Sequence, residues 1–190
     1  MSEEIKTDVV KEAAEFLRDE LAHLGVKVGS SHAHAAVAHY LGYNSKKALL
    51  DDPTFYPEDQ ELVTYHELGT KKLVDRLPSM KENPLKHMDV GQLGSIIWAG
   101  LAPACECCDQ KKLDITYLGD DIRNPQGWVS ESCAERNEDY GRCHFCGDEY
   151  LYRAQDLNRN GECPEHNGES DMDDEELEDW ESYIENINKD

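Results

Sequence analysis

The chain has no long apolar run. Its longest greasy stretch is Ile96-Ile97-Trp98-Ala99-Gly100-Leu101, whereas a helix needs about eighteen or more apolar residues to cross a bilayer. No membrane partner is expected. The first residues, MSEEIKTDVVKEAAEF, carry charge throughout instead of a basic end followed by an apolar block. They read as a helix and not as a signal peptide, and a cytoplasmic location is expected.

Positive charge is scarce. Nineteen Lys and Arg face 41 Asp and Glu, a formal net charge of −22. A nucleic-acid backbone would be repelled over most of such a surface, so nucleic acid is disfavoured as a partner and a basic protein is favoured. The deficit is uneven: residues 169–190 hold one Lys against eleven acids. Apolar residues make up only 38% and charged residues 32%, which implies a modest core beside polar segments that do not fold alone. No nucleophile elbow or phosphate loop is present, and among 41 acids no carboxylate pair stands out. No catalytic residue and no small-molecule substrate is inferred, and the expectation is a protein that is not an enzyme.

Against these absences stand seven cysteines. Their odd number, in a chain without secretion signals, favours thiols and metal over a disulfide framework. Residues 143–166 read CHFCGDEYLYRAQDLNRNGECPEH: a Cys-x-x-Cys pair, a spacer, then a Cys and a His with the same gap. Zinc takes four ligands in a tetrahedron, and two from each of two tight turns satisfy it with little strain. Cys143, Cys146, Cys163 and His166 are therefore the expected zinc ligands. Gly147 suits a turn that folds backbone N–H groups toward a thiolate, and Tyr150, Leu151, Tyr152 and Leu157 supply apolar cover. The rivals are a redox dithiol, which should sit between a strand and a helix of a βαβ unit, and thiols without any ligand. Four protein ligands would close the site, giving zinc a folding role. The spacing resembles a treble-clef or ribbon-like finger.

A second set, Cys105, Cys107, Cys108 and Cys133, meets the template only in part. Adjacent Cys107 and Cys108 fit one tetrahedron poorly, so a three-Cys site completed by a histidine such as His87, ligands shared with the first site, or buried thiols without metal all stay open. One zinc is expected, with this set as the candidate for a second.

The N-terminal half reads as helical. Val9, Val10, Ala13, Ala14, Phe16, Leu17, Leu21 and Leu24 share one face before Gly25. Ser30 and Ser31 are placed to cap HAHAAVAHY, which closes at Gly42, and Asn44 or Ser45 caps SKKALL. Pro57 opens a longer helix through Leu62, Val63, Leu68, Leu73, Val74 and Leu77, with Gly69 an irregularity in its middle. Asp89 caps VGQLGSIIWAGL, stopped by Pro103. Strand-like pieces follow at 115–118 and 127–129. In 169–190, Leu177, Trp180, Tyr183, Ile184 and Ile187 form an apolar stripe on an otherwise acidic helix, to be weighed against a solvated tail.

The expected fold class is α plus a small zinc-stabilised module: a helical N-terminal half of about five helices, an irregular, β-rich zinc-binding C-terminal half, and an acidic tail. The segments are 1–52 (a three-helix unit), 53–103 (helices packing on it), 104–168 (zinc module) and 169–190 (tail).

His32, His34 and His39 lack the i, i+4 spacing of a helical metal pair. Ala38 to Gly42 has the small-residue and glycine spacing of a helix-turn-helix, yet the would-be recognition helix offers Lys46 and Lys47 beside Asp51 and Asp52, with no arginine. The stretch EFLRDELAHLGVKVGSSHAHAAVAHYLGYNSKKALL, with Ser31-His32 and Leu41-Gly42-Tyr43, resembles the small helical domain of the glyoxalase-related protein family. After the tyrosine that family commonly has Asp-Trp-Asn-Thr-Leu, where this chain has Asn44-Ser45-Lys46-Lys47-Ala48-Leu49. The resemblance covers residues 12–50. It implies a bacterial accessory protein of plasmid- or phage-associated type and no glyoxalase activity. The expected function is a non-enzymatic zinc-binding adaptor for a basic protein. The alternative is a nucleic-acid-linked regulator that uses the helical unit or the zinc module, with the tail as competitor or mimic.

Overall fold

The structure, a computed structural model, describes residues 2–55 and 66–170. Expectations for Pro57, Leu62 and Val63, and for the apolar stripe from Leu177 to Ile187, lie outside the described residues. The chain divides into two compact units, Met1–Cys133 and Ala134–Asp190. The module expected over 104–168 is thus spread over both.

The first unit is built on α1 (Ser2–His23), α2 (Ser30–Tyr40), α3 (Lys46–Asp51), α4 (His66–Arg76) and α5 (Val90–Leu101). The helical N-terminal half expected from apolar spacing is present. Val10, Ala13, Ala14, Leu17 and Leu21 of α1 are fully buried against Leu93, Ile97 and Leu101 of α5 and Ala33, Ala36 and Val37 of α2, in one shared core. Burial of this kind stabilises by roughly 25 cal/mol per Å² of apolar surface. Small residues set how closely the helices approach: a Cβ on Gly100 would meet the Ala13 backbone at 3.1 Å.

Helix ends follow local chemistry. Asp89 accepts from Gln92 N at 2.8 Å at the start of α5, and Ser45 accepts from Ala48 N at 3.1 Å at the start of α3. The expected serine cap on α2 is corrected, because Gly29 holds that position and no side chain caps it. Ser30 already lies inside the helix, where its carbonyl accepts from His34 Nδ1 at 2.7 Å. α1 and α2 both end in the paired bonds of a Schellman motif, with Val26 N to Leu21 O at 2.8 Å and Tyr43 N to Ala38 O at 2.8 Å.

Beyond α5, β1 (Ile115–Leu118) and β2 (Gly127–Ser130) pair antiparallel, with Ile115 opposite Ser130 and Leu118 opposite Gly127. Lys111 anchors this part to the helices. Its Nζ donates to Gly100 O and Ala102 O, each at 2.8 Å, at the end of α5, and lies 3.6 Å from a Glu12 carboxylate oxygen. A cation there satisfies carbonyls that no backbone donor reaches. α6 (Glu131–Ala134) follows β2 directly, and its first turn is fixed by Ser132 N donating to Asp114 Oδ2 at 2.9 Å.

The second unit holds β3 (Tyr140–Gly141) and β4 (Tyr152–Arg153), paired antiparallel, and 3₁₀ turns at Ala154–Asp156 and Pro164–His166. Its apolar centre is Cys143, Tyr152 and Cys163, with Cys146, Tyr150 and Leu157 packed on them. Sulfur stands where a larger unit would place aliphatic side chains.

Candidate metal centres

In the second unit the tight turn after β3 brings Cys143 and Cys146 together, and the 3₁₀ turn at Pro164–His166 presents Cys163 and His166. Gly147 has φ +62° and donates from its N–H to Cys143 O at 3.0 Å. That conformation is cheap only for glycine. Cys163 immediately precedes Pro164, whose fixed φ suits the first position of the turn.

The four candidate ligand atoms lie within 4.8 Å of one another. His166 Nδ1 is 3.7, 3.4 and 3.2 Å from the sulfurs of Cys143, Cys146 and Cys163, and Cys146 Sγ is 3.8 Å from Cys163 Sγ. Zinc at its usual bond lengths to sulfur and nitrogen would set tetrahedral edges of about 3.8 Å between sulfurs and about 3.6 Å from sulfur to nitrogen. The cluster has the size of that polyhedron.

Its electrostatics also suit a cation. Burial opposes ionisation of Cys143, but the N–H groups of Cys163, Cys146 and Phe145 outweigh it and bring the thiol down to about 6. Cys163 is lowered too, where His166 outweighs burial. Cys146 is pushed up to about 11, first by burial and then by its neighbouring sulfurs, because a third negative charge would crowd the first two. A divalent cation relieves that crowding. Around the cluster, the Phe145 ring stacks on His166 at 5.5 Å, and Tyr152 Oη lies 3.8 Å from Cys146 Sγ.

Glu162 was not signalled by the sequence. It is almost completely buried beside Cys163, where its carboxylate accepts from Ser170 N at 2.6 Å, Asn158 Nδ2 at 2.5 Å and Gly168 N at 2.8 Å. These bonds hold its pKa at about 2. It fixes the loop on either side of the Cys163–His166 turn. No periodicity marks such a residue in a chain this acidic.

In the first unit, Cys105, Cys108 and Cys133 form a second group, again with sulfurs within 4.8 Å of one another. Cys105 is buried and the other two are half-buried. Neither Cys107 nor His87 joins the group among the described residues. Cys107 is exposed, since neighbouring side chains of one tight turn cannot both face the same point. Ser130 N donates to Cys105 Sγ at 3.3 Å, and the thiol sits near 7 because such N–H donors outweigh its burial.

His39 and His32 of α2 are occupied in packing. His39 Nδ1 bonds Tyr43 O at 3.0 Å and His32 Nε2 bonds Lys81 O at 3.1 Å. His66 lies 3.1 Å from Tyr40 Oη and 3.3 Å from Ser95 Oγ. A serine beside a histidine has the parts of a nucleophilic pair. Ser95, however, bonds Gly91 O of its own helix at the shorter distance of 3.1 Å, and the far side of the imidazole meets a phenol in place of an orienting carboxylate. The trio joins α2, α4 and α5 as a packing contact.

No family model, no curated protein and no solved structure matches this chain. The resemblance of residues 12–50 to the glyoxalase-related family finds no support there. Among the described residues no helix is long and apolar enough to cross a membrane. What stands is a protein with a helical N-terminal half, small two-stranded sheets and two cysteine-containing clusters that could hold metal.

Proposed function

We propose that this chain is a non-enzymatic adaptor whose second unit is folded by zinc and whose acidic surface engages a basic protein. The observation that supports it is the closure of the Cys143, Cys146, Cys163 and His166 group, whose four ligand atoms match a zinc tetrahedron in spacing. A metal with four protein ligands has no position left for a substrate, so its value is structural. The acid excess of 41 over 19 then sets the partner's chemistry: surfaces of one sign steer opposite charge toward them.

The test is retention on immobilised full chain, with and without residues 171–190, of proteins identified by mass spectrometry. The reading expects basic proteins that are lost when the tail is removed and as salt is raised past physiological strength, where the screening length falls below about 8 Å. Equal retention by both chains would remove the tail's role. Retention of DNA or RNA at low salt by the tail-less chain alone would favour a nucleic-acid regulator instead.

A further inference from the structure

The two clusters are built on the same backbone turn. In the second unit Cys143-x-x-Cys146 is followed by Gly147 at φ +62°, whose N–H returns to Cys143 O at 3.0 Å. In the first unit Cys105-x-x-Cys108 is followed by Asp109 at φ +54°, whose N–H returns to Cys105 O at 2.8 Å. A non-glycine residue in that region is uncommon, so the likeness is not generic to tight turns. In each turn the N–H groups two and three residues on, those of Phe145 and Cys146 or of Cys107 and Cys108, face the first sulfur. Each first sulfur receives a further N–H from a distant segment, from Cys163 or from Ser130.

The third sulfur comes in both cases from a later turn, and there the two diverge. Cys163-Pro-Glu-His166 provides a fourth ligand three residues on, whereas Cys133-Ala-Glu-Arg136 puts an arginine at that place. A guanidinium stays protonated and has no lone pair for a metal. All seven cysteines and all eight histidines lie among the described residues, and among these residues none besides Cys105, Cys108 and Cys133 belongs to this group.

We infer that Cys105, Cys108 and Cys133 hold a zinc ion through three thiolates and leave its fourth position to a thiol or imidazole donor from another molecule. The sulfur triangle has one closed side, at buried Cys105, and an open one at half-buried Cys108 and Cys133. Three thiolates more than neutralise the ion, which makes it a weak acidifier of water and a better host for soft or nitrogen donors. The inference does not rest on the adaptor reading.

The experiment uses the full chain carrying C143S, C146S and C163S, which removes every thiolate of the other cluster, with helical content checked by circular dichroism. It should retain about one zinc per chain, and retain it equally when C107S is added. After cobalt replaces zinc, added imidazole or 2-mercaptoethanol should shift the visible absorption bands. Adding R136C should abolish that shift, because a fourth thiolate fills the position. Cys107 and Arg136 are both exposed, so neither substitution removes core packing. Loss of the metal in the chain carrying C143S, C146S and C163S, or its loss on adding C107S, overturns the inference. So do bands that neither donor moves, or a shift that survives R136C.

Discussion

His166 Nδ1 lies 3.2 Å from Cys163 Sγ across a single 3₁₀ turn. The two thus present one sulfur and one nitrogen to the same point from a rigid, proline-led segment. Replacing His166 by Cys keeps a ligand there, whereas Ala leaves the metal three sulfurs and solvent. H166C should retain zinc, and H166A should bind it at least about 100-fold more weakly, since even outer partners of metal ligands are worth 10- to 100-fold. Competition with a chelating dye measures both. Equal affinity of H166A and the native chain would remove His166 from the ligand set.

Chelation should act unevenly along the chain. The second unit's centre is three cysteines and a few aromatic and aliphatic neighbours, too little apolar surface to fold so short a segment alone. A structural zinc supplies on the order of 10–16 kcal/mol in small finger peptides. Amide resonances of residues 138–166 should collapse on adding a strong chelator, while those of α1, α2 and α5, which share an aliphatic core, keep their dispersion. A whole spectrum left unchanged would separate the fold from the metal.

Glu162 gives a prediction about pH. Its pKa of about 2 lies below the ordinary 4.5, held down by Ser170, Asn158 and Gly168. A depressed carboxyl stabilises the fold above its unfolded pKa and loses that contribution as pH falls toward the folded value. Both states are ionised between pH 5.5 and 7.5, so the contribution is constant across that window. In E162Q, either placement of the amide turns an NH₂ group toward N–H donors already there. The zinc-loaded variant should melt lower than the native chain by the same margin at both ends of the window. A margin that shrinks between pH 7.5 and 5.5 would contradict the assignment.

Much of this was legible in the residues themselves. Asp89 announced one helix start and the Asn44-Ser45 pair another, because a cap is a local bond, and the structure assigns the second cap to Ser45. The apolar spacing of α1 named its buried face except at Leu24, which lies past the helix end and is 51% exposed, and the Cys143–His166 spacing named a cluster, because ligand pairs on tight turns leave a fixed gap. Lys111 was not legible: its partners Gly100 O, Ala102 O and Glu12 are set by how α1 and α5 pack. The separation of Cys107 from its neighbours was hidden too, since sequence counts thiols while the turn decides which of them converge.

Gly69 shows the same limit and can be tested directly. In the sequence it weakens a helix; in α4 it makes room for Tyr40. An added Cβ would lie 2.4 Å from Tyr40 Cζ and 2.7 Å from both adjacent ring carbons. Tyr40 is 2% exposed and bonded to His66, so the ring has nowhere to swing. Alanine's gain in helix propensity, about 1 kcal/mol, is then set against overpacking of about 1–3 kcal/mol. G69A should destabilise the first unit by up to about 2 kcal/mol in urea unfolding followed by tryptophan fluorescence. In a Y40L background the ring tip is gone and only the propensity remains, so there the same substitution should be neutral or stabilising. Costs that add independently in the double variant would show that the ring is not what excludes a side chain at position 69.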